Sequence, residues 1–316
     1  MAKFKQPKVT IVGAGNVGAT TAQRVIEKNI ANVVLLDVAS GIATGKALDL
    51  AEAAPVESHD RAIIGGSDYE LSKDSDVVVI TAGIARKPGM SRDDLLKTNA
   101  EIVSSVAKQA VKYSPDAVFV IVSNPLDIMT YLTKKVTGLP SNKVIGMAGV
   151  LDSARMRFFV AEALNVSVRD VTAFVLGGHG DSMVPLARYS SVSGIPLSAL
   201  LSAEKIEEIN KRTRNGGIEI VNHLQTGSAF YAPASSTAEM VESIVRDRKR
   251  VLPCCVELNG QYGLKDIFVG VPIKLGSNGV EEIIEIELTD SEKAELHKSA
   301  EDVKVNIEKL NSMLSS

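Results

Sequence analysis

The chain has 316 residues, 45% of them hydrophobic and 23% charged, which is enough for two domains or one large α/β domain with a sizeable core. A net charge of −3, with both signs scattered along the chain, gives no basis for nucleic acid or an anionic membrane as a partner. No apolar run reaches the length of a membrane span, and residues 1–7 are short and basic without an apolar signal core, so the expectation is a cytoplasmic protein.

Residues 9–12 read as a buried strand, 16–28 as a helix and 33–36 as a second apolar strand that ends on Asp37. Between the first strand and the helix, Gly13, Gly15 and Gly18 supply the spacing G-x-G-x-x-G. The three glycines serve a tight turn, a close approach of backbone to pyrophosphate and close packing of helix on strand. The loop formed by Gly13, Ala14, Gly15, Asn16, Val17 and Gly18 therefore predicts a dinucleotide site, with phosphate on the helix N-terminus. Asp37 falls nineteen residues after Gly18, where the adenosine ribose would lie. Its charge would repel a 2′-phosphate, which predicts NAD rather than NADP.

Further on, Ile42, Leu48, Leu50 and Ala51 recur at helical spacing within 40–54, which reads as an amphipathic helix. A short strand at 62–65 precedes runs at 76–83, 117–125 and 143–147, whose unbroken apolar, β-branched character predicts strands covered on both faces. Strand and helix alternate, which predicts an α/β fold with a Rossmann doubly wound parallel sheet. Ligands of such sheets bind beyond the carboxyl ends of the strands. There the chain places AGIARKPGMSRDD, with Arg86 and Arg92 flanking a Pro88-Gly89 break, a reading as a lid that closes on an anion. Ser91 is a fair N-cap for a helix to residue 113. After Val122 and Ser123, Asn124 can donate and accept at the crevice floor.

The pattern changes near residue 150. A helix there carries Asp152 and Arg155, three apart and so on one face. A strand over 171–178 runs into His179, which is framed by Gly177, Gly178 and Gly180, a setting that His59, His223 and His297 lack. Helices are expected at 203–224 and 227–247, strands at 251–258 and 267–275, a strand-like run at 283–288, and a helix from 290, with loops at 193–200 and 275–280. Cys254 and Cys255 are adjacent on a strand and point to opposite faces, so they read as free buried thiols. The expected domains are 1–148, a nucleotide-binding Rossmann unit, and 149–316, an α+β substrate domain.

Oxidation of a 2-hydroxy acid needs a base for the hydroxyl proton while hydride leaves carbon 2. Histidine suits, since its ordinary pKa of ~6.5 allows both protonation states near neutrality. A paired carboxylate, here Asp152, fixes the imidazole tautomer, and the planar fork of Arg155 matches a substrate carboxylate.

The segments GAGNVG, VVLLD, TAGIARKPGMSRDDLL, SNPLD, LDSARMR and GGHGDSMVP resemble the lactate/malate dehydrogenase family, over essentially the whole chain. ARKPGMSR resembles its malate branch, of the kind that is lactate-dehydrogenase-like overall. The resemblance implies reversible NAD-dependent oxidation of (S)-malate to oxaloacetate, as in the tricarboxylic acid cycle, by a homodimer or homotetramer with no metal. It implies that His179 is the proton acceptor, Asp152 its partner, Arg155 the carboxylate clamp and Arg92 the lid arginine that polarises the carbonyl. It further implies that Asn124 contacts substrate, and that Asn99 with Val122, Ser123 and Asn124 contacts cofactor. Lactate dehydrogenases place glutamine where Arg86 stands, so Arg86 would meet the second carboxylate of a dicarboxylate. Enclosed beside pyruvate without a counter-charge it would cost about 3–5 kcal/mol, although L-lactate dehydrogenase remains the alternative. Ser182 departs from the acid that malate enzymes of this kind often carry after HGD.

Overall fold

The structure, a computed structural model, describes residues 6–84 and 91–315, apart from the side chains of Arg92 and Ser315. The first half builds β1 (Lys8–Val12), α1 (Asn16–Glu27), β2 (Asn32–Leu36), α2 (Ser40–Glu57), β3 (Ile63–Gly66), β4 (Val77–Ile80), α3 (Arg92–Tyr113), β5 (Val118–Ile121), α4 (Leu126–Thr137), β6 (Val144–Gly146) and α5 (Gly149–Leu164). Short strands follow: β7 (Val171–Thr172), β8 (Val175–Leu176), β9 (Val184–Pro185), β10 (Ser191–Val192) and β11 (Ile195–Pro196). The chain closes with α6 (Leu197–Leu200), α7 (Ala203–Leu224), α8 (Tyr231–Val245), β12 (Arg250–Asn259), β13 (Lys265–Gly276), β14 (Gly279–Ile283) and α9 (Asp290–Ser315).

Parallel strands lie in the order β3-β2-β1-β4-β5-β6. Every residue of β4 (VVVI) and β5 (VFVI) is buried, as unbroken apolar runs between two helical layers require. Strand order reverses between β1 and β4, which opens a crevice at their carboxyl ends. The sheet continues past β6: β12 meets it antiparallel at Cys255 and Gly146, and β13 and β14 bring the sheet to nine strands. A Cβ at Gly146 would lie 2.8 Å from the Cβ of Cys255 and 2.6 Å from Thr130 Oγ1, so a side chain there would push β12 away. One core cluster runs through both halves, from Ile11 and Val79 to Val269 and Leu296, and a second fills the space between α5, α7 and the short strands. Among the described residues no helix is long and apolar enough to cross a membrane.

Several elements differ from the sequence expectation for identifiable reasons. The strand expected over 171–178 is two, because the Val175 N–H is taken by Ser153 Oγ of α5. The helix expected from 227 starts at Tyr231, since Gly227 sits at φ +82°. The strand-like run at 283–288 leaves the sheet after Ile283, where the main chain and hydroxyl of Tyr262 bind Ile284, Glu285 and Ile286. The loop expected at 275–280 is a tight turn between β13 and β14, with Gly279 at φ +84°. The loop expected at 193–200 contains β11 and α6, and Asn124-Pro125, which reads equally as a plain turn or a helix start, opens α4.

The helix expected at 40–54 runs on through Pro55 to Glu57 and is not amphipathic in the expected sense. Its buried residues are Ala43 and Ala47, whereas Ile42 and Leu48 are 52% and 58% exposed. A Cβ on Gly65 would lie 2.1 Å from the Ala43 carbonyl oxygen, so β3 and α2 touch main chain to main chain and only small residues fit between. Gly65→Ala is therefore expected to destabilise the protein by about 1–3 kcal/mol. At Gly45, in the same helix, a Cβ meets nothing within 4 Å. Gly45→Ala is expected to stabilise by about 0.5–1 kcal/mol. Denaturant midpoints read both, and a Gly65→Ala protein as stable as wild type would disprove the close contact.

Candidate active site

At the end of β1 the chain turns through Gly13 at φ +108°. A Cβ on Gly18 would lie 1.8 Å from the Gly13 carbonyl oxygen, so helix and turn are pressed together without room for a side chain. Gly15 is the opposite case: a Cβ there meets nothing within 4 Å, and the space above the first turn of α1 is open. Gly15 caps that helix with no side-chain bond, and no acid stands in the first turn, so main-chain N–H groups beginning at Asn16 and Val17 face an anion site. The Ala14 N–H donates to Asp37 Oδ2 at 2.7 Å and the Ala39 N–H to Oδ1 at 3.0 Å, while Lys46 Nζ donates to the Ala14 carbonyl at 2.7 Å. Asp37 is half-buried, and each oxygen keeps a further lone pair. This cradle fits a dinucleotide whose ribose bears free hydroxyls.

Val122 and Ser123 are buried at the end of β5, and the Ser123 hydroxyl donates to the Ala82 carbonyl at 2.6 Å. Asn99, expected to touch cofactor, has its amide engaged by main chain. Its Oδ1 accepts from the Ile84 N–H at 2.8 Å, and its Nδ2 donates to the carbonyls of Ile84 at 3.1 Å and Asn124 at 2.7 Å. Asn99 thus braces the segment after β4 against Asn124, whose side chain is exposed at the mouth of the site.

Three consecutive main-chain N–H groups hold His179 in place. Gly177 donates to Gly270 of β13 at 2.9 Å, Gly178 to Ser299 Oγ of α9 at 2.8 Å, and His179 itself to Asp127 Oδ2 of α4 at 2.8 Å. A Cβ on Gly178 would lie 2.9 Å from Val303 and 3.4 Å from Asp127 Oδ2, which explains the bare backbone. The hydroxyl of Ser182 accepts from Ser299 at 3.1 Å, so the residue that departs from the family pattern fastens this turn to α9.

His179 Nδ1 lies 2.9 Å from Asp152 Oδ2, and Arg155 Nη1 donates to Asp152 Oδ1 at 3.4 Å. Asp152 is 2% exposed, against 16% for His179 and 13% for Arg155. Nδ1 carries the proton toward the carboxylate, which leaves Nε2 with the lone pair. Burial lowers the pKa of the imidazole, but the charge and hydrogen bond of Asp152 and the charge of Asp127 outweigh burial and Arg155, so the net shift is upward from 6.5. Burial weakens the hold of Arg155 on its charge, and Asp152 opposes that. Arg155 Nε is buried without a hydrogen-bond partner among the described residues.

Asn124, Asp127, His179, Asp181, Arg214 and Lys298 line one cavity of about 890 Å³. The structure thus brings His179, Asp152, Arg155 and Asn124 together. Arg86 lies outside the described residues, as does the side chain of Arg92, the first residue of α3. Asp127 and Ser299 were not singled out from sequence. For Asp127 the signal was there, an acid three residues past Asn124 at the head of an apolar helix, whereas nothing marks Ser299. Cys254 and Cys255 are buried free thiols, as expected, and burial raises the pKa of both.

Residues 7–146 match the family model described as lactate/malate dehydrogenase, NAD binding domain, and residues 149–314 match the alpha/beta C-terminal domain of the same family. The chain belongs to the lactate/malate dehydrogenase family. Within the family it is 57% identical to a malate dehydrogenase of Chlorobium limicola over 98% of this chain and 100% of that one. It is 58% identical to the malate dehydrogenase of Synechocystis over 98% and 95%. Among solved structures of the family, a malate dehydrogenase from Salinibacter ruber superposes with a TM-score of 0.94 at 50% identity, covering 98% of this chain and 99% of that chain. A lactate dehydrogenase from Cryptosporidium parvum, complexed with lactic acid and nicotinamide adenine dinucleotide, also gives 0.94 at 42% identity, covering 98% and 99%.

Asp152→Asn removes the anion that His179 and Arg155 share. The imidazole is then expected to titrate at lower pH than in the wild type, read by ¹H NMR of the cofactor-free protein. An unmoved midpoint would show that the 2.9 Å contact does not set the proton affinity of the ring.

Proposed function

We propose that this protein is an NAD-dependent malate dehydrogenase, interconverting (S)-malate and oxaloacetate, with cofactor held by residues 1–148 and substrate gripped by residues 149–316. One arrangement carries the proposal. A half-buried guanidinium, held by one long contact to a buried carboxylate, stands beside an imidazole whose tautomer that same carboxylate fixes. A carboxylate substrate completes the donor set of Arg155 and puts its carbon 2 hydroxyl in the neighbourhood of the free Nε2. The near full-length malate dehydrogenase relatives support the same reading.

Bound NAD would supply the acceptor for the hydride that leaves carbon 2. Gly13 to Gly18 would hold its pyrophosphate and Asp37 its ribose. His179 Nε2 takes the hydroxyl proton in oxidation and returns it in reduction, and Asp152 stabilises the imidazolium in between. Arg155 binds the carboxylate next to carbon 2, and Asn124 orients the substrate at the cavity mouth. From their sequence setting alone, Arg92 is assigned the reacting oxygen and Arg86 the second carboxylate. Oligomer formation is assigned to exposed apolar positions on α2 such as Ile42 and Leu48.

Reduction requires the protonated ring, and the ring pKa is raised above 6.5, so the imidazolium persists past that pH. kcat/KM for oxaloacetate reduction is expected to be flat at low pH and to fall as pH climbs through the raised His179 value. Malate oxidation rises over the same window, and a reduction rate that increases with pH would refute the role of His179. Arg155→Ala is expected to lower kcat/KM for oxaloacetate by about 2–5 kcal/mol, ~30-fold or more. NADH consumption with oxaloacetate against pyruvate decides the substrate: equal or greater kcat/KM with pyruvate would assign the enzyme to lactate.

A further inference from the structure

Asp127 is a buried carboxylate that the chemistry above does not use. It stands in the first turn of α4, is 3% exposed, and has one oxygen on the His179 N–H while Oδ1 is without a hydrogen-bond partner among the described residues. A neutral oxygen from Asn or Ser would serve that N–H equally well and avoid the desolvation of a charge. A carboxylate in such a place calls for a cation to face.

The neighbours narrow the choice. α5 presents Asp152 and Arg155 to His179, and β12 places Cys255 beside Asp127, where burial and the acid push the thiol pKa well up. On the cavity side stand Asp181, Arg214, Glu295, Lys298 and Asp302. Of all these groups only the imidazole gains and loses positive charge around neutrality. The effect is reciprocal: burial dominates and, with the charge of Asp152, leaves the Asp127 carboxyl raised, the main-chain N–H and charge of His179 and the Cys255 thiol oppose that rise, and Asp127 in turn favours the protonated ring.

We propose that Asp127 is a positioning residue for His179, pinning the main chain that carries the imidazole and giving the imidazolium a second buried negative charge alongside Asp152. The proposal rests on the reading of His179 as the proton carrier, so its test includes a measurement that needs no turnover. The protein has four histidines, and the His179 signal in a ¹H NMR titration is identified by its loss in His179→Gln. Asp127→Asn keeps an oxygen for the N–H and removes the charge. Its His179 midpoint is expected at lower pH than in wild type, and the descending limb of oxaloacetate reduction moves with it, with KM unchanged. Above the wild-type midpoint the reduction rate then drops about tenfold for each pH unit of displacement.

A variant that melts earlier while its NMR midpoint and rate profile stay in place overturns the proposal, because the acid is then structural only. If Asp127→Asn does not yield folded protein, Asp127→Ser is titrated in its place under the same criteria. Wild-type protein inactive with oxaloacetate would sink the functional reading and leave the titration result standing. An unmoved midpoint in an active enzyme sinks this proposal alone.

Discussion

Asp152 is a single buried carboxylate shared by two cations, and the site depends on that sharing. Its Oδ2 meets His179 at 2.9 Å and its Oδ1 meets Arg155 at 3.4 Å. Withdrawing an ionised acid from water costs several kcal/mol, recovered only when both partners are in place. Imidazole tautomer, carboxylate charge and guanidinium orientation therefore form one unit, whose members are not expected to contribute additively. The two contacts are unequal, and the inequality has a use. The 3.4 Å contact is too long to satisfy Arg155, so the partly exposed guanidinium retains Nη donors for an incoming carboxylate.

The main chain at His179 is as constrained as its ring. Gly177, Gly178 and His179 each give their N–H to a different element, β13, α9 and α4. A peptide tied on three sides has little freedom to carry the ring away from Asp152. Glycine is required at Gly178 and again on either side of the Gly177–Gly270 pairing: a Cβ on Gly177 would lie 2.8 Å from Ser299 Oγ, and one on Gly270 would lie 2.6 Å from the Gly177 carbonyl oxygen.

Much of this was legible in the sequence because it rests on local pattern. The glycine spacing before Asp37, the apolar runs of β4 and β5, and the Asp152 and Arg155 pair on one helical turn each follow from a few adjacent residues. Where only distant partners decide, the sequence is silent. Val175 breaks a strand because Ser153, twenty-two residues earlier, takes its N–H, and Ser299 reaches Gly178 across 121 positions. Ile42 and Leu48 follow helical periodicity yet point outward, since the approach of Gly65 to Ala43 selected the small residues as the inner face. For Asn99 the resemblance implies a cofactor contact, whereas the engagement of its amide by Ile84 and Asn124 has no signal in the sequence.

The join between the two halves explains how such precision is reached by groups far apart in sequence. Asp127 enters from α4 in the first half, whereas Asp152, Arg155, Gly270 and Ser299 belong to the second. A hinge between separate bodies would leave His179 strapped to elements that move apart. Here the parallel strands pass directly into the antiparallel ladder of β12 and β13 through the pairing of Gly146 with Cys255. The core cluster is continuous across the same line. Slipping that ladder by one residue would exchange the faces of β12 and β13 and carry Gly270 away from Gly177. Strand register, fixed by buried side chains on both faces, thus holds the imidazole against its acids more tightly than loop contacts would.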